Sequence, residues 1–297
     1  MPVKFYISII SIILTLAVGT AVGQGRHALF VGISDYPTAS GFQKIHGAED
    51  YEIVGKMLEK QGFEIVKLLD GDATASNIRA ALDNVAKNSA KGSLVYIHFS
   101  CHGQPFEDKL PFDEDDFWDE SLVAYDAKKN YQSGVYEGEN HILDDELSVY
   151  FDQIRQKIGE HGLLCVVIDA CHSGTSSRDD IDEDDVVRGT DFGFSADGKI
   201  FAPRINKKGN FPIAKIPGAG DILILEACRS DQFNKEVVKG GKHYGALSYY
   251  VSQVLDRHNI TRSLDWVGDV NALMEGDHAL TDQNMVYESS FLADGQE

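Results

Sequence analysis

The order of apolar runs predicts an α/β protein: a mostly parallel sheet with helices on both faces, folded as one domain. Three observations predict it. The stretches around Arg26–Ile33, Ser93–Ser100, Leu163–Asp169 and Asp221–Cys228 are short, rich in Val, Ile and Leu, and continuous rather than alternating. That is the pattern of strands buried on both faces of a sheet. Amphipathic helical periodicity lies between them, so the chain reads β-α-β-α-β with right-handed crossovers. Finally, two of the apolar runs stop abruptly on chemistry: Cys101-His102-Gly103 and Cys171-His172-Ser173-Gly174.

Taken in order, the first strand ends at Ser34-Asp35-Tyr36-Pro37. A helix is expected from about His46 to Gln61, with Ala48, Tyr51, Val54, Met57 and Leu58 on one face and Gly62 stopping it. Phe63–Leu69 is the next strand, turned by Asp70-Gly71-Asp72. Thr74 caps a second helix whose apolar face is Ile78, Ala81, Leu82 and Val85. Beyond His102, residues 105–140 are irregular and acidic, with a short strand expected at Ser121–Tyr125. Leu147, Tyr150, Phe151, Ile154 and Ile158 mark a helix that leads into the Cys171 strand. Residues 175–220 read as a loop insertion, and a loop that long is usually functional or a processing segment. Helices at Tyr244–Leu255 and Leu264–Met274, then an edge strand near Met285–Leu292, complete the expected order.

The chain of 297 residues is 43% hydrophobic, ample for a core, and carries a net charge of −20. That charge opposes binding to nucleic-acid phosphates and suits cationic substrates and hard cations. At the N-terminus, Lys4 precedes an apolar run from Phe5 to Val18, with small residues at Gly19, Ala21 and Gly23. This reads as a signal peptide over residues 1–23, which would leave residues 24–297 as the exported domain, periplasmic or extracellular and without stable membrane insertion. The even count of four cysteines would permit disulfides in an exported chain. All four lie in or just after strand-like runs, however, and are read as free thiols, one of them catalytic.

In an open α/β sheet, ligands bind at the carboxyl ends of the strands. Cys171 and His102 both fall there, and a thiol becomes a nucleophile when a base stands beside it. The motifs Phe99-Ser100-Cys101-His102-Gly103 and Asp169-Ala170-Cys171-His172-Ser173-Gly174 resemble those of the caspase-like cysteine peptidases, most nearly the metacaspases and their bacterial relatives. The resemblance extends over nearly the whole chain after residue 23, through the Asp50 region, Ile142–Leu147, Cys228–Gln232 and Gly245–Tyr249. It implies a caspase-like three-layer sandwich. It further implies Cys171 as nucleophile, His102 as acid and base, and backbone N–H groups of Gly103 and Cys171 as an oxyanion hole. Asp50, Ser100 and Asp169 would line a pocket for Arg or Lys of a protein or peptide substrate. Calcium is implied as a cofactor, with Asp119, Asp144, Asp145 and Asp179 at the matching positions and no organic cofactor. Such acidic runs also occur as plain solvated loops.

The expected function is that of an exported cysteine endopeptidase cutting after basic residues, with Arg178 and Arg188 in the long loop as candidate self-cleavage sites. Two alternatives stay open: a caspase-like peptidase of another specificity, as in the gingipains and clostripain, or a catalytically silent member that binds a protein partner. Cys101, where the family usually has glycine, has no assigned role at this point.

Overall fold

A computed structural model describes residues 25–108, 118–171, 185–190, 192–201 and 208–291. The expected signal segment, together with Arg178 and Asp179, lies outside the described residues.

Seven strands form the main sheet: β1 (Arg26–Gly32), β2 (Glu64–Leu69), β3 (Leu94–Ser100), β7 (Leu163–Asp169), β8 (Asn210–Pro212), β9 (Asp221–Glu226) and β12 (Val286–Ser289). Their spatial order is β2-β1-β3-β7-β9-β12-β8. The first five in that order run parallel, β12 is antiparallel to β9, and β8 is parallel to β12. The C-terminal strand is therefore interior rather than the edge strand expected, because Asn210–Pro212 of the long loop returns to cover it.

The alternation along β7 divides the core in two. Leu164, Val166 and Ile168 face α2 (Ala75–Asn88) and α3 (Asp144–Ile158), meeting Ile78, Leu82, Phe151 and Ile154. Leu163, Cys165 and Val167 face α1 (Tyr51–Lys60), α4 (Ala246–Leu255) and α5 (Asp265–Glu275), meeting Leu58, Val251, Val254 and Trp266. Helices thus cover both faces, giving a three-layer α/β/α sandwich. Thr74 caps α2 by accepting from the Asn77 amide at 3.3 Å, as the sequence predicts. Among the described residues, no helix is long and apolar enough to cross a membrane.

Two small sheets stand at the carboxyl edge. Strands β4 (Gly103–Glu107), β5 (Trp118–Val123) and β6 (His141–Leu143) form an antiparallel trio, and β10 (Glu236–Lys239) pairs with β11 (Lys242–Gly245) as a hairpin. The helix expected from Tyr244 begins only at Ala246, because Tyr244 and Gly245 still belong to that hairpin. Likewise α1 begins at Tyr51 rather than His46: residues 47–50 make a turn that packs on the ends of β1 and β3. A Cβ at Gly47 would collide with the carbonyls of Ser100 and Ile33, so only glycine permits this approach.

Candidate active site

β3 and β7 are adjacent and parallel, with Ser100 opposite Asp169. His102 and Cys171 each follow two residues later, so register alone carries both to one edge of the sheet. The His102 amide donates to the Tyr36 hydroxyl at 3.0 Å, and its ring lies between Tyr36 and Phe42, with ring centroids 5.2 and 5.6 Å away. Its Nε2 is 2.9 Å from the Gln43 carbonyl. A carbonyl only accepts, so Nε2 carries the hydrogen and Nδ1 keeps a lone pair. That Nδ1 is buried without a hydrogen-bond partner. Burial, assisted by Arg188 and Lys129, lowers the His102 pKa to about 4 and keeps the ring neutral. The ring is therefore neutral at rest, with a lone pair on Nδ1 available to accept a proton.

The Cys171 thiol donates to the Gln232 carbonyl at 3.0 Å. Cys228, at the end of β9, approaches the same carbonyl at 3.6 Å. A hydrogen bond with Cys171, then burial, pushes the Cys228 thiol far up. Cys101 is a core residue beside Leu122 and Val123, and burial pushes its thiol up to about 12. Packing is thus the role that the sequence left open for Cys101.

The long loop returns into this site. Arg188 donates its amide to the Asn234 carbonyl at 2.9 Å, Glu236 donates to the Val186 carbonyl at 2.9 Å, and Val187 bridges antiparallel to Lys235. Residues 186–188 are therefore laid as an added strand along residues 234–236. The Arg188 carbonyl accepts from the Cys171 amide at 2.8 Å and the Gly103 amide at 3.4 Å. These are the two backbone donors that the resemblance implies for an oxyanion hole.

The Arg188 side chain, although it belongs to the loop insertion, is fully buried. Its Nη1 donates to Asp50 at 2.9 Å and to the Ser100 hydroxyl at 2.6 Å, and stands 3.6 Å from Asp169. Nε and Nη2 both donate to Glu236 Oε1, at 3.0 and 2.9 Å. Asp50, Ser100 and Asp169, separated in sequence, thus converge on one guanidinium. Asp50 precedes α1 without capping it. Its carboxylate instead accepts from Ser100 at 2.7 Å and from the Gly245 amide at 3.1 Å. A Cβ at Gly245 would strike Asp169 and Arg188, so the pocket wall there must be glycine. Burial, offset by Arg188 and increased by Asp169, raises the Asp50 pKa to about 7. Burial would raise Asp169 too, but Arg188, Ser248 and Asn234 together outweigh it and hold its carboxyl below the ordinary value.

Several residues here escaped the sequence reading. Glu236 is a third pocket carboxylate. Ser248 donates to Asp169 through its amide at 2.7 Å and its hydroxyl at 2.6 Å, and Asn234 donates at 2.7 Å. With the Ser248 hydroxyl hydrogen so engaged, its oxygen accepts from His98 Nε2 at 2.9 Å, and His98 Nδ1 accepts from the Tyr96 hydroxyl at 2.9 Å. A buried chain from Tyr96 through His98 and Ser248 thereby fixes the Asp169 carboxylate.

The expected calcium ligands are placed differently. Asp119 and Asp145 line one depression with Asp108, Glu137, Glu139 and Glu146. Asp144 lines the neighbouring cleft that holds Cys171, Cys228, Glu226 and Glu288. The oxygen donors suit calcium in kind. Among the described residues, however, the group whose three ligand atoms lie within 4.8 Å of one another is His46, Glu236 and His243.

Residues 25–294 match the caspase domain family. Metacaspase-1 of Lodderomyces elongisporus is 24% identical over 303 residues, covering 88% of this chain and 64% of that protein. Metacaspase-2 of Trypanosoma brucei brucei is 27% identical, covering 72% of this chain and 57% of that protein. The chain thus spans less than two thirds of these relatives. In a crystal structure of a Geobacter sulfurreducens protein the fold recurs with a TM-score of 0.60 at 18% identity, covering 92% of this chain and 95% of the other.

Proposed function

The chain belongs to the caspase family of cysteine peptidases, with metacaspases among its relatives, and from that premise we propose that it is an endopeptidase cutting after Arg or Lys through Cys171 and His102, with its own Arg188 held as the first substrate. One observation carries the reading. The Arg188 carbonyl accepts from the Cys171 and Gly103 amides while its guanidinium fills a pocket of three carboxylates.

The chemistry follows from that placement. The Cys171 thiol gives its proton to His102 Nδ1, and sulfur bonds to the Arg188 carbonyl carbon. The oxygen, now negative, is held by the two amides, which face it before charge develops. The bond to Gly189 breaks as His102 returns the proton to the departing nitrogen. Water then hydrolyses the thioester, releasing the Arg188 carboxylate and restoring the thiol. Arg suits the pocket because its planar fork engages several oxygens at once, whereas Lys brings one compact charge. An acidic side chain would add a fourth negative charge. Until cut and displaced, residues 186–188 block other substrates.

Calcium would be held beside the β4–β6 sheet by hard oxygen donors, Asp119 and Asp145 in one depression or Asp144 in the neighbouring cleft. Residues 1–23 would direct export and be removed.

The test is kcat/KM on peptides that differ only in Arg, Lys or Asp before the cut, with and without calcium. Basic peptides should be cleaved, and Cys171→Ala and His102→Ala should each abolish turnover while the protein stays folded. Turnover of Asp peptides alone would overturn the specificity. Absence of turnover with every peptide would favour a silent binding member.

A further inference from the structure

The wall of the arginine pocket carries a second feature that the peptidase reading leaves unused. Glu236 and His243 lie on the same face of the β10–β11 hairpin, two register positions apart, since Glu236 faces Gly245 and Val238 faces His243. His46 comes from the turn before α1 and stacks on His243, with ring centroids 4.6 Å apart and planes 16° from parallel. The two oxygens of Glu236 do different things. Oε1 takes the Arg188 guanidinium and the His46 amide, the latter at 2.7 Å. Oε2 faces His46 Nδ1 at 2.6 Å and His243 Nδ1 at 3.8 Å.

We propose that His46, His243 and Glu236 bind one zinc-type divalent ion on the outer wall of the arginine pocket. An ion pair between His46 and Glu236 would account for one histidine. It does not account for a second imidazole stacked on the first with its Nδ1 turned to the same oxygen. Two imidazoles and a carboxylate are a donor set for zinc and similar borderline metals, with a fourth position left to water. Calcium and magnesium prefer all-oxygen sites. The side chains of His46 and His243 are 23% and 35% exposed and that of Glu236 is buried, so an ion can enter from solvent and be anchored from within. Closing around an ion at ordinary zinc distances of about 2.0–2.1 Å requires the His46–Glu236 contact, now 2.6 Å, to open so that the ion replaces that hydrogen bond, and His243 Nδ1, 3.8 Å from the same oxygen, to move in.

Because one carboxylate serves both the ion and the arginine, the two are coupled. An ion on Oε2 withdraws charge from Oε1 and weakens its grip on a guanidinium. If the pocket takes substrate Arg as proposed above, zinc should act against basic substrates without touching the nucleophile.

Zinc itself, and cobalt as its coloured substitute, are the probes. Uptake is measured by equilibrium dialysis on the full Cys171→Ala chain, which needs no activity and lacks the nucleophile's thiolate. That protein should bind one equivalent more zinc than the same chain with His243→Ala or with His46→Ala. Its cobalt form should show visible ligand-field bands without the near-ultraviolet sulfur charge-transfer band of a thiolate site. Equal uptake by all three proteins, or a sulfur band that persists when His243 is removed, would overturn the site. In the active enzyme, zinc should raise KM for Arg peptides about tenfold, within the usual range of coupling between sites, and His243→Ala should lose that response. Zinc bound at the site with KM unchanged would overturn the coupling. An enzyme inactive on all peptides would contradict the peptidase reading and leave the dialysis result to decide the site.

Discussion

Two acidic regions of the molecule look alike in composition and differ in what they do with charge. In the arginine pocket, Asp50, Asp169 and Glu236 come from three distant parts of the chain, are fully buried at the side chain, and converge on one guanidinium. In the depression beside the β4–β6 sheet, three of the acids already have their own separate partners. Glu137 accepts from the Gly134 amide, Glu139 from the Glu137 amide, and Glu146 is paired with Arg79 at 2.6 Å. The first arrangement is costly unless a cation completes it, which is a specification for a ligand. The second is stable as it stands. Counting carboxylates does not separate the two; burial and convergence do.

The largest effects should therefore come from the pocket. Asp169→Ala and Asp50→Ala should each lower kcat/KM on Arg peptides by about 2–5 kcal/mol, the range for truncating one partner of a buried charge pair. The two should be comparable. A helix-end Asp50 would be expected to be wetter, but its carboxylate is as dry as that of Asp169. A tenfold weaker effect of Asp50→Ala would show that its charge is not needed, in keeping with a pKa already raised to about 7.

Next in size, Glu236→Gln should cost about 1.5–3 kcal/mol in the same assay, the worth of hydrogen bonds to a charged group. It should cost more with Arg than with Lys, because it neutralises the charged acceptor shared by Nε and Nη2, a pair of donors that Lys lacks.

Between the two regions stand Glu226 on β9 and Glu288 on β12, diagonal neighbours on one face of the sheet. Burial, with Glu288 and Asp144 adding to it, raises the Glu226 pKa to about 8 from an ordinary 4.5. The sign follows from proton counts. Between these values the native state holds a proton that the unfolded chain has lost, so stability falls as pH rises. Glu226→Gln should remove that decline, and denaturant melts from pH 5 to 8 measure it. An unchanged slope would mean that Glu226 is ionised in the fold.

Smallest should be the depression. Asp145→Asn and Glu139→Gln should each change stability by no more than about 0.5 kcal/mol without calcium. Only if calcium binds there should Asp145→Asn weaken the calcium response of the rate. Full activity in excess chelator would leave these acids as solvated surface.

The same contrast explains what the sequence made legible. β3 and β7 could be read because continuous burial on both faces leaves an unbroken apolar run, and the residues two positions past each run carry the chemistry. Of β4–β6 only β5 could be read, as the short strand expected at Ser121–Tyr125 where the structure has Trp118–Val123; buried Gln104 and Asp119 look like loop residues until their cross-strand partners are known. The β10–β11 hairpin did carry a signal: Gly240 and Gly241, both at positive φ, form a two-residue turn between strands. Reading Tyr244 onward as helix concealed it, and Glu236 with it. Arg188 sits among polar and acidic residues that resemble a solvated loop. Its burial comes from contacts as far as 138 residues away, which no local pattern encodes.

Everything in the pocket turns on whether Arg188 is held as a substrate. The most direct measurement is mass spectrometry with N-terminal sequencing of the active protein and of Cys171→Ala after incubation, with and without calcium. A new N-terminus at Gly189 should arise in the active protein alone. A chain that stays intact at the Arg188–Gly189 bond while cleaving added Arg peptides would contradict it.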